Sequence, residues 1–457
     1  MATVTVFGAV RTVTGSMHLV ESGEQRVLLD CGLFQGRRAE SVEINSHFPF
    51  PPASLGAVVL SHAHLDHCGN LPTLVQQGFH NAIYCTPATR DLTALILRDS
   101  AKIQAQDIRF VNKIRAQHGQ PPTQPLYTED DAERAITHLT PVPYRQPFQI
   151  GGVRCTFYDA GHILGSAVVV VEVDGRTLVF SGDLGRHDAP ILRAAEVPPA
   201  GDVVLMESTY GDRTHDTIAH GDQMLGTAVA QAIARGGKVL VPAFAIGRTQ
   251  DLTYSLHRLQ DAGQIPVVPT FVDSPMAVDA TEIFRAHPEC FNDQTRSYLS
   301  GEGDPFGFKR LRYVRSAQES QQLNDLTDPF IVMATSGMCE SGRILHHLRH
   351  HIEDPLSALL IVSFQAANTL GRRLADGVSP VNVFGEPHQV RLQVQKIEAF
   401  SAHGDRDDLI GWVRAIPHLG RVFLVHGEEA QASALVAHLR TLGVEAAVPE
   451  RGQRITV

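Results

Sequence analysis

Short apolar runs, each about a strand long, recur through the first part of the chain. Residues 4–8, 18–21 and 26–30 alternate or are apolar throughout, with Gly15 and Gly23 between them. Residues 57–60 form a β-branched run that reads as a buried strand. Residues 153–158 read as another, and 168–173 and 177–180 as a hairpin across Asp174-Gly175. A further strand ends at Glu207. One long helical pattern, 86–118, carries Leu92, Leu95, Ile96, Ile103, Val111 and Ile114 as an approximate apolar stripe. Arg98, Lys102, Arg109, Lys113 and Arg115 lie on its other faces. They could meet a polyanion, although such a run is usually a solvated face. Residues 119–125, with three prolines, predict a loop, and 128–139 a second helix.

After residue 206 the rhythm changes. Apolar strands at 238–242, 266–272, 330–334 and 359–364 alternate with helices near 222–235, 248–262, 276–286, 342–352 and 369–376. That alternation predicts a doubly wound parallel sheet. From 378 strands return, at 390–394 and 396–400. A helix near 406–416, a strand at 421–425, a last helix near 429–441 and a strand at 454–457 follow. The reading is α/β with boundaries at 1–205, 206–377 and 378–457.

The densest chemistry is His62-Ala63-His64-Leu65-Asp66-His67, directly after the strand at 57–60. In extended chain, residues i and i+2 share a side, so His62 and His64 can grip one ion together. Asp66 and His67 fall where the chain turns and point elsewhere, which suits two ions side by side. A lone histidine among apolar residues is ordinarily a satisfied core side chain; three with an aspartate in six residues are not. Imidazole and carboxylate favour zinc, with manganese or iron as alternatives. Asp30, His162, Asp183, Glu207, His403 and His426 also fall at or just past strand ends. A carboxylate such as Asp30 can orient a metal-bound histidine through its other ring nitrogen, whereas alone it would read as a turn former before glycine.

The second half offers strand-to-helix turns at 243–248, 273–275, 336–343 and 367–373, with Arg248, Arg343 and Arg372 beside them. Helix N-termini suit phosphate, and capping alone explains such turns equally well.

A formal net charge of −10 argues against a nonspecific nucleic-acid binder. The six cysteines form no Cys-x-x-Cys pair, so neither a disulfide framework nor a zinc knuckle is indicated. No apolar run reaches membrane-spanning length, and the N-terminus lacks a basic signal-peptide region. A cytoplasmic setting without membrane contact is the simplest expectation.

In this order, Asp30, His-x-His-x-Asp-His, His162 and Asp183 resemble the metallo-β-lactamase fold. Glu207, His403 and His426 resemble the three further motifs of its β-CASP branch of RNA-cleaving enzymes. The likeness includes Pro242-Ala-Phe-Ala-Ile-Gly-Arg248, Asp273-Ser-Pro-Met276, Phe400-Ser-Ala-His403 and Val425-His-Gly-Glu428. It implies an αββα sandwich interrupted by an inserted doubly wound parallel α/β (β-CASP) domain. It also implies two zinc ions, with manganese as the alternative. One would take His62, His64 and His162, the other Asp66, His67 and His426, with Asp183 between them. His403 is then the general acid, held by Glu207, and Asp30 joins the catalytic set. Ser336, Gly337, Arg343, Arg372, Arg248 and Ser401 are the residues for RNA phosphate. The chain departs from the family turn Gly-Met-x-x-Gly-Gly-Arg in carrying Glu340 and Ser341. The implied activity is zinc-dependent RNA hydrolysis in processing or decay, endonucleolytic before 5′-exonucleolytic, on single-stranded RNA. A homodimer is admitted. The competing expectation is a small-molecule hydrolase of thioesters or lactams on the same fold.

Overall fold

In the computed structural model every residue except Glu302 and Ala367 is described, and at Arg38 and Ala39 the backbone alone. The chain divides into two compact units. The first comprises Met1–His187, Ala194–Thr214 and His403–Val457, and the second Asp188–Arg193 and His215–Ala402.

The first unit holds two seven-stranded sheets. One runs, edge to edge, through Arg454–Thr456, Thr3–Val6, His18–Ser22, Gln25–Leu29, Ala57–Val59, Ile83–Cys85 and Leu139–Pro141. The other runs through Ala446–Ala447, Arg421–Val425, Val203–Glu207, Arg176–Phe180, Ala167–Val173, Val153–Asp159 and Phe148–Ile150. The strand Ala167–Val173 shows why the layers form. Its side chains alternate in direction: Val169, Val171 and Val173 enter the core between the sheets, while Val168 and Val170 enter a second core. There Leu409, Trp412 and Val413 of the helix Arg406–Arg414, and Leu435 and Leu439 of Glu429–Thr441, cover the outer face. A strand buried on both faces reads as an unbroken apolar run. The result is the αββα sandwich that the motifs implied.

The hairpin at Asp174-Gly175 forms as expected, with φ of 51° and 73° at the two turn residues. The long helix is Pro87–Gln117; Thr86 accepts from Thr89 N–H at its N-cap. Its stripe is buried only over the first half. Leu92 and Ile96 are in the core, while Ile103 and Ile114 are 49% and 41% exposed. No described helix is long and apolar enough to cross a membrane.

The second unit is built on a six-stranded sheet, parallel throughout. Its order is Leu311–Tyr313, Thr270–Asp273, Ile331–Ala334, Val239–Pro242, Ala358–Ile361 and Gln393–Lys396. Helices fall close to their expected places, and Ser274 and Thr369 cap two of them. The expected strand at 266–272 begins only at Thr270, after a Pro-containing approach that cannot donate a full ladder. The strand near 390–394 is Gln393–Lys396, and it pairs with Ala358–Ile361. The strand Gln393–Lys396 therefore completes the second sheet, and the compact unit runs on to Ala402.

Candidate metal centre

The strands Gln25–Leu29 and Ala57–Val59 run parallel, and their carboxyl ends deliver Asp30 and the Ser61-His62 turn. In the facing sheet Arg176–Phe180, Val203–Glu207 and Arg421–Val425 are parallel neighbours. They deliver Asp183, Glu207 and His426. Two antiparallel steps, through Ala167–Val173 to Val153–Asp159, restore the same direction and bring His162 to the same edge. Asp66 and His67 sit on a one-turn helix, Leu65–Cys68.

His62, His64, His162 and Asp183 each offer a donor atom within 4.8 Å of the others. His64 Nδ1 lies 3.1 Å from His62 Nε2 and 3.2 Å from His162 Nε2. Asp183 Oδ2 lies 3.5 Å from His62 Nε2 and 3.6 Å from His162 Nε2. Four donors about 2.0–2.1 Å from a common centre would stand about 3.3–3.4 Å apart in a tetrahedron. The spacing therefore fits a zinc-sized ion.

Asp66, His67 and His426 make a second set. His426 Nε2 lies 3.2 Å from Asp66 Oδ2, and His67 Nε2 lies 3.9 Å from the same oxygen. The other oxygen of Asp183, Oδ1, is 3.4 Å from His67 Nε2. One carboxylate thus turns an oxygen toward each set. Among the described residues, His67 Nε2 and Asp183 Oδ1 are buried with no hydrogen-bond partner. Buried polar atoms are ordinarily satisfied, and a cation between them would satisfy both.

Behind the donors, Asp30 is fully buried. It pairs with His67 Nδ1 at 2.6 Å and accepts from Ser61 N–H, Ser61 Oγ and Ser16 Oγ. This fixes the tautomer that turns Nε2 of His67 into the site. Asp30 therefore positions a donor from behind. Ser61 and Ser16 were not singled out from the sequence, because a serine beside a strand end carries no signal of its own. The same holds for Thr209, whose hydroxyl lies 3.2 Å from His426 Nδ1, and for Ser166, which accepts from His162 N–H.

Electrostatics point the same way. Burial, and then the neighbouring His67, push the His62 imidazole well below its ordinary value of 6.5. Burial and His403 do the same to His162. Burial also opposes the charge on His67, yet Asp183, Asp30 and Asp66 together hold it well above 6.5. Asp183, Asp30 and Asp66 thus favour positive charge at His67, beside the neutral imidazoles of His62 and His162.

His403 lies just outside the donors, 21% exposed. Its Nδ1 is 3.1 Å from both oxygens of the buried Glu207. Leu184 N–H holds Glu207 at 2.6 Å. Burial lowers the His403 pKa, but the Glu207 carboxylate, with Asp183 and Asp66, outweighs it and raises the group to about 9.

Several turns that carry the phosphate candidates pack together: Gln365 donates to the Gly337 carbonyl and Gly371 N–H to the Met338 carbonyl. Arg343 is committed internally: its guanidinium lies 2.5 Å from Asp273 Oδ1 and donates to the carbonyls of Val314 and Arg315. Asp273 is fully buried and also takes His347 and Ser320. Arg343→Ala is expected to destabilise the fold by on the order of 3 kcal/mol, since it takes the guanidinium from a buried carboxylate and leaves it only His347 and Ser320; a thermal melt measures it. The Ser336 hydroxyl accepts from Glu340 and Ser341 N–H. Gly337 packs with Phe244 about its Cα. The carboxylate of Glu340 accepts from Leu370 N–H, which fills the helix start after 367 with an internal anion. Ala367, where that turn begins, is outside the described residues. Arg372 pairs with Asp376 and stays half exposed. Arg248 lies 3.6 Å from Asp251, and Ser401 is half-buried before His403. Phe244 and Phe364, 43% and 60% exposed beside these turns, were not singled out from the sequence.

Three family models match the chain: the metallo-beta-lactamase superfamily over residues 10–242, the Beta-Casp domain over 249–374, and the Zn-dependent metallo-hydrolase RNA specificity domain over 387–449. The chain belongs to the β-CASP branch of the metallo-β-lactamase superfamily. Among its relatives is Ribonuclease TTHA0252 of Thermus thermophilus, 36% identical over 99% of both chains. The RNase J-like protein of Methanocaldococcus jannaschii is 32% identical, over 95% of this chain and 94% of its own. The transcription termination factor FttA of Methanosarcina mazei is 32% identical, over 93% of this chain and 67% of its own. A crystal structure of a protein of unknown function from Enterococcus faecalis shares the fold, with a TM-score of 0.60 at 13% identity over the whole of both chains. Metal binding follows from the Zn-dependent family model and the donor cluster.

Proposed function

We propose that this chain is a metal-dependent ribonuclease that hydrolyses RNA phosphodiester bonds at a pair of zinc ions, with manganese as the alternative. The observation that carries this is Asp183, whose two oxygens face two separate donor sets. His62, His64 and His162 would hold one ion, and Asp66, His67 and His426 the other. When bound, such a pair supplies Lewis acidity toward the phosphoryl oxygens and a more acidic water. Asp30 keeps His67 facing inward. Glu207 accepts from His403 Nδ1, so the opposite edge of that imidazole can carry a proton to the departing ribose oxygen. Single-stranded RNA is the substrate favoured, cleaved internally rather than from a 5′ end, in processing or decay.

A thioesterase or lactamase reading is not favoured. It leaves residues 215–402 without a task, and the relatives described as ribonucleases support RNA.

The test is direct. End-labelled and internally labelled single-stranded RNA, duplex DNA and a thioester are incubated with the protein, with and without a chelator. RNA alone should be cut, internal fragments should appear first, and chelation should abolish cleavage until zinc is restored. Thioester hydrolysis with intact RNA would overturn the assignment. Release of only 5′ mononucleotides would replace the internal mode by an exonucleolytic one.

A further inference from the structure

The long helix Pro87–Gln117 begins beside the metal centre, where Thr86 and Thr89 donate to the carbonyl of Gly165 on the loop that follows His162. Between Thr89 and Phe110 it travels about 32 Å. Its apolar stripe does not end where the core ends. At about 100° per residue, Ile103, Phe110 and Ile114 continue the line of Leu92 and Ile96, but now 49%, 66% and 41% exposed. Alongside it, about 80–100° around the helix, run Lys102, Arg109 and Lys113, all exposed.

Among the described residues none of these three cations makes a close ion pair, though Lys102 feels Asp99 and Glu133, whereas Arg98 is taken by Glu133. The opposite side of the helix is covered. The returning segment donates Leu126 N–H to Gln104 and exchanges two hydrogen bonds between Thr123 and Asn112, and Arg115 donates to the Pro121 carbonyl. The helix is therefore held in place, with a basic row and an aromatic-bearing apolar row left facing water. In a chain of net charge −10, such a row is out of keeping with the general surface. Self-pairing through this face would set like charges against each other. A cationic row beside an exposed ring fits a single-stranded polyanion whose bases can stack.

We propose that the outer half of this helix is a second contact surface for single-stranded RNA, with Lys102, Arg109 and Lys113 along phosphates and Phe110 against a base. The surface deepens the ribonuclease reading and rests on it. It would favour RNAs long enough to reach from the metal centre to the helix.

The test compares the wild-type chain with the triple variant Lys102→Glu, Arg109→Glu, Lys113→Glu and with Phe110→Ala. Each is given single-stranded RNA of about six or about 24 nucleotides. Thermal melts check that the fold is intact. Cleavage of the short RNA should be unchanged. On the long RNA, kcat/KM and affinity should fall, by about 5- to 100-fold for Phe110→Ala. For the triple variant, the slope of log affinity against log salt should flatten by about 2. Variants that match wild type on long RNA would overturn the proposal, as would equal losses on both lengths. So would a change from two copies to one in sedimentation, which would make the face an interface between copies. If wild type cuts neither RNA, the ribonuclease reading fails on its own; binding of the long RNA still judges the surface.

Discussion

Asp183→Ala is expected to strip metal from both donor sets at once. The carboxylate is 1% exposed and lies 3.4–3.6 Å from the donor nitrogens of His62, His162 and His67. No other carboxylate among the described residues faces both sets. Groups that merely orient a metal ligand are worth about 10–100-fold in affinity, so a shared donor should exceed that. Metal content by mass spectrometry should fall well below that of wild type, and RNA cleavage should fall to background even with zinc added. The fold should survive, because the cores lie beneath the site rather than in it. A variant that keeps both ions and cuts RNA at the wild-type rate would overturn the shared-ligand role.

The second large effect falls on His403. His403→Ala should retain both ions and lose about 10²–10⁴ of the rate, the ordinary worth of a placed proton donor. Loss of metal in this variant would instead make His403 a ligand. The pH profile separates the donor from its support. A general acid works while protonated, so activity is present below its pKa and lost as pH rises through it. Glu207 is the foremost of the carboxylates, with Asp183 and Asp66, that lift His403 to about 9 against burial. Glu207→Gln should therefore move the alkaline fall in activity to lower pH. An unmoved alkaline limb would remove Glu207 from that role.

Much of the site was legible because donors at strand ends leave a local signature. The apolar run before His62, the i, i+2 spacing, and the polar residues closing the runs at 26–30, 177–180 and 203–207 all read directly. What binds Asp30 to His67 did not, since Ser16 and Ser61 become partners only when two distant strands are neighbours. Arg343 is the opposite case. Its place at a glycine-rich turn suggested phosphate, and only the fold reveals the buried Asp273 beneath it. The strand Gln393–Lys396 was visible as a strand, but its membership of the parallel sheet depends on hydrogen bonds to Ala358–Ile361 that no local pattern encodes. Likewise, the stripe on Pro87–Gln117 looked uniform, although where a core stops is set by neighbours and not by periodicity.

The first sheet closes by pairing Thr3–Val6 with Arg454–Thr456, and His403 and His426 also come from the segment after Ala402. During synthesis the earliest strand must wait for the latest one, with the whole of the second unit made in between. A chain still emerging from the ribosome lacks both imidazoles and one sheet edge. The full set of donors and the imidazole that gives the proton would then exist only once His426 has emerged.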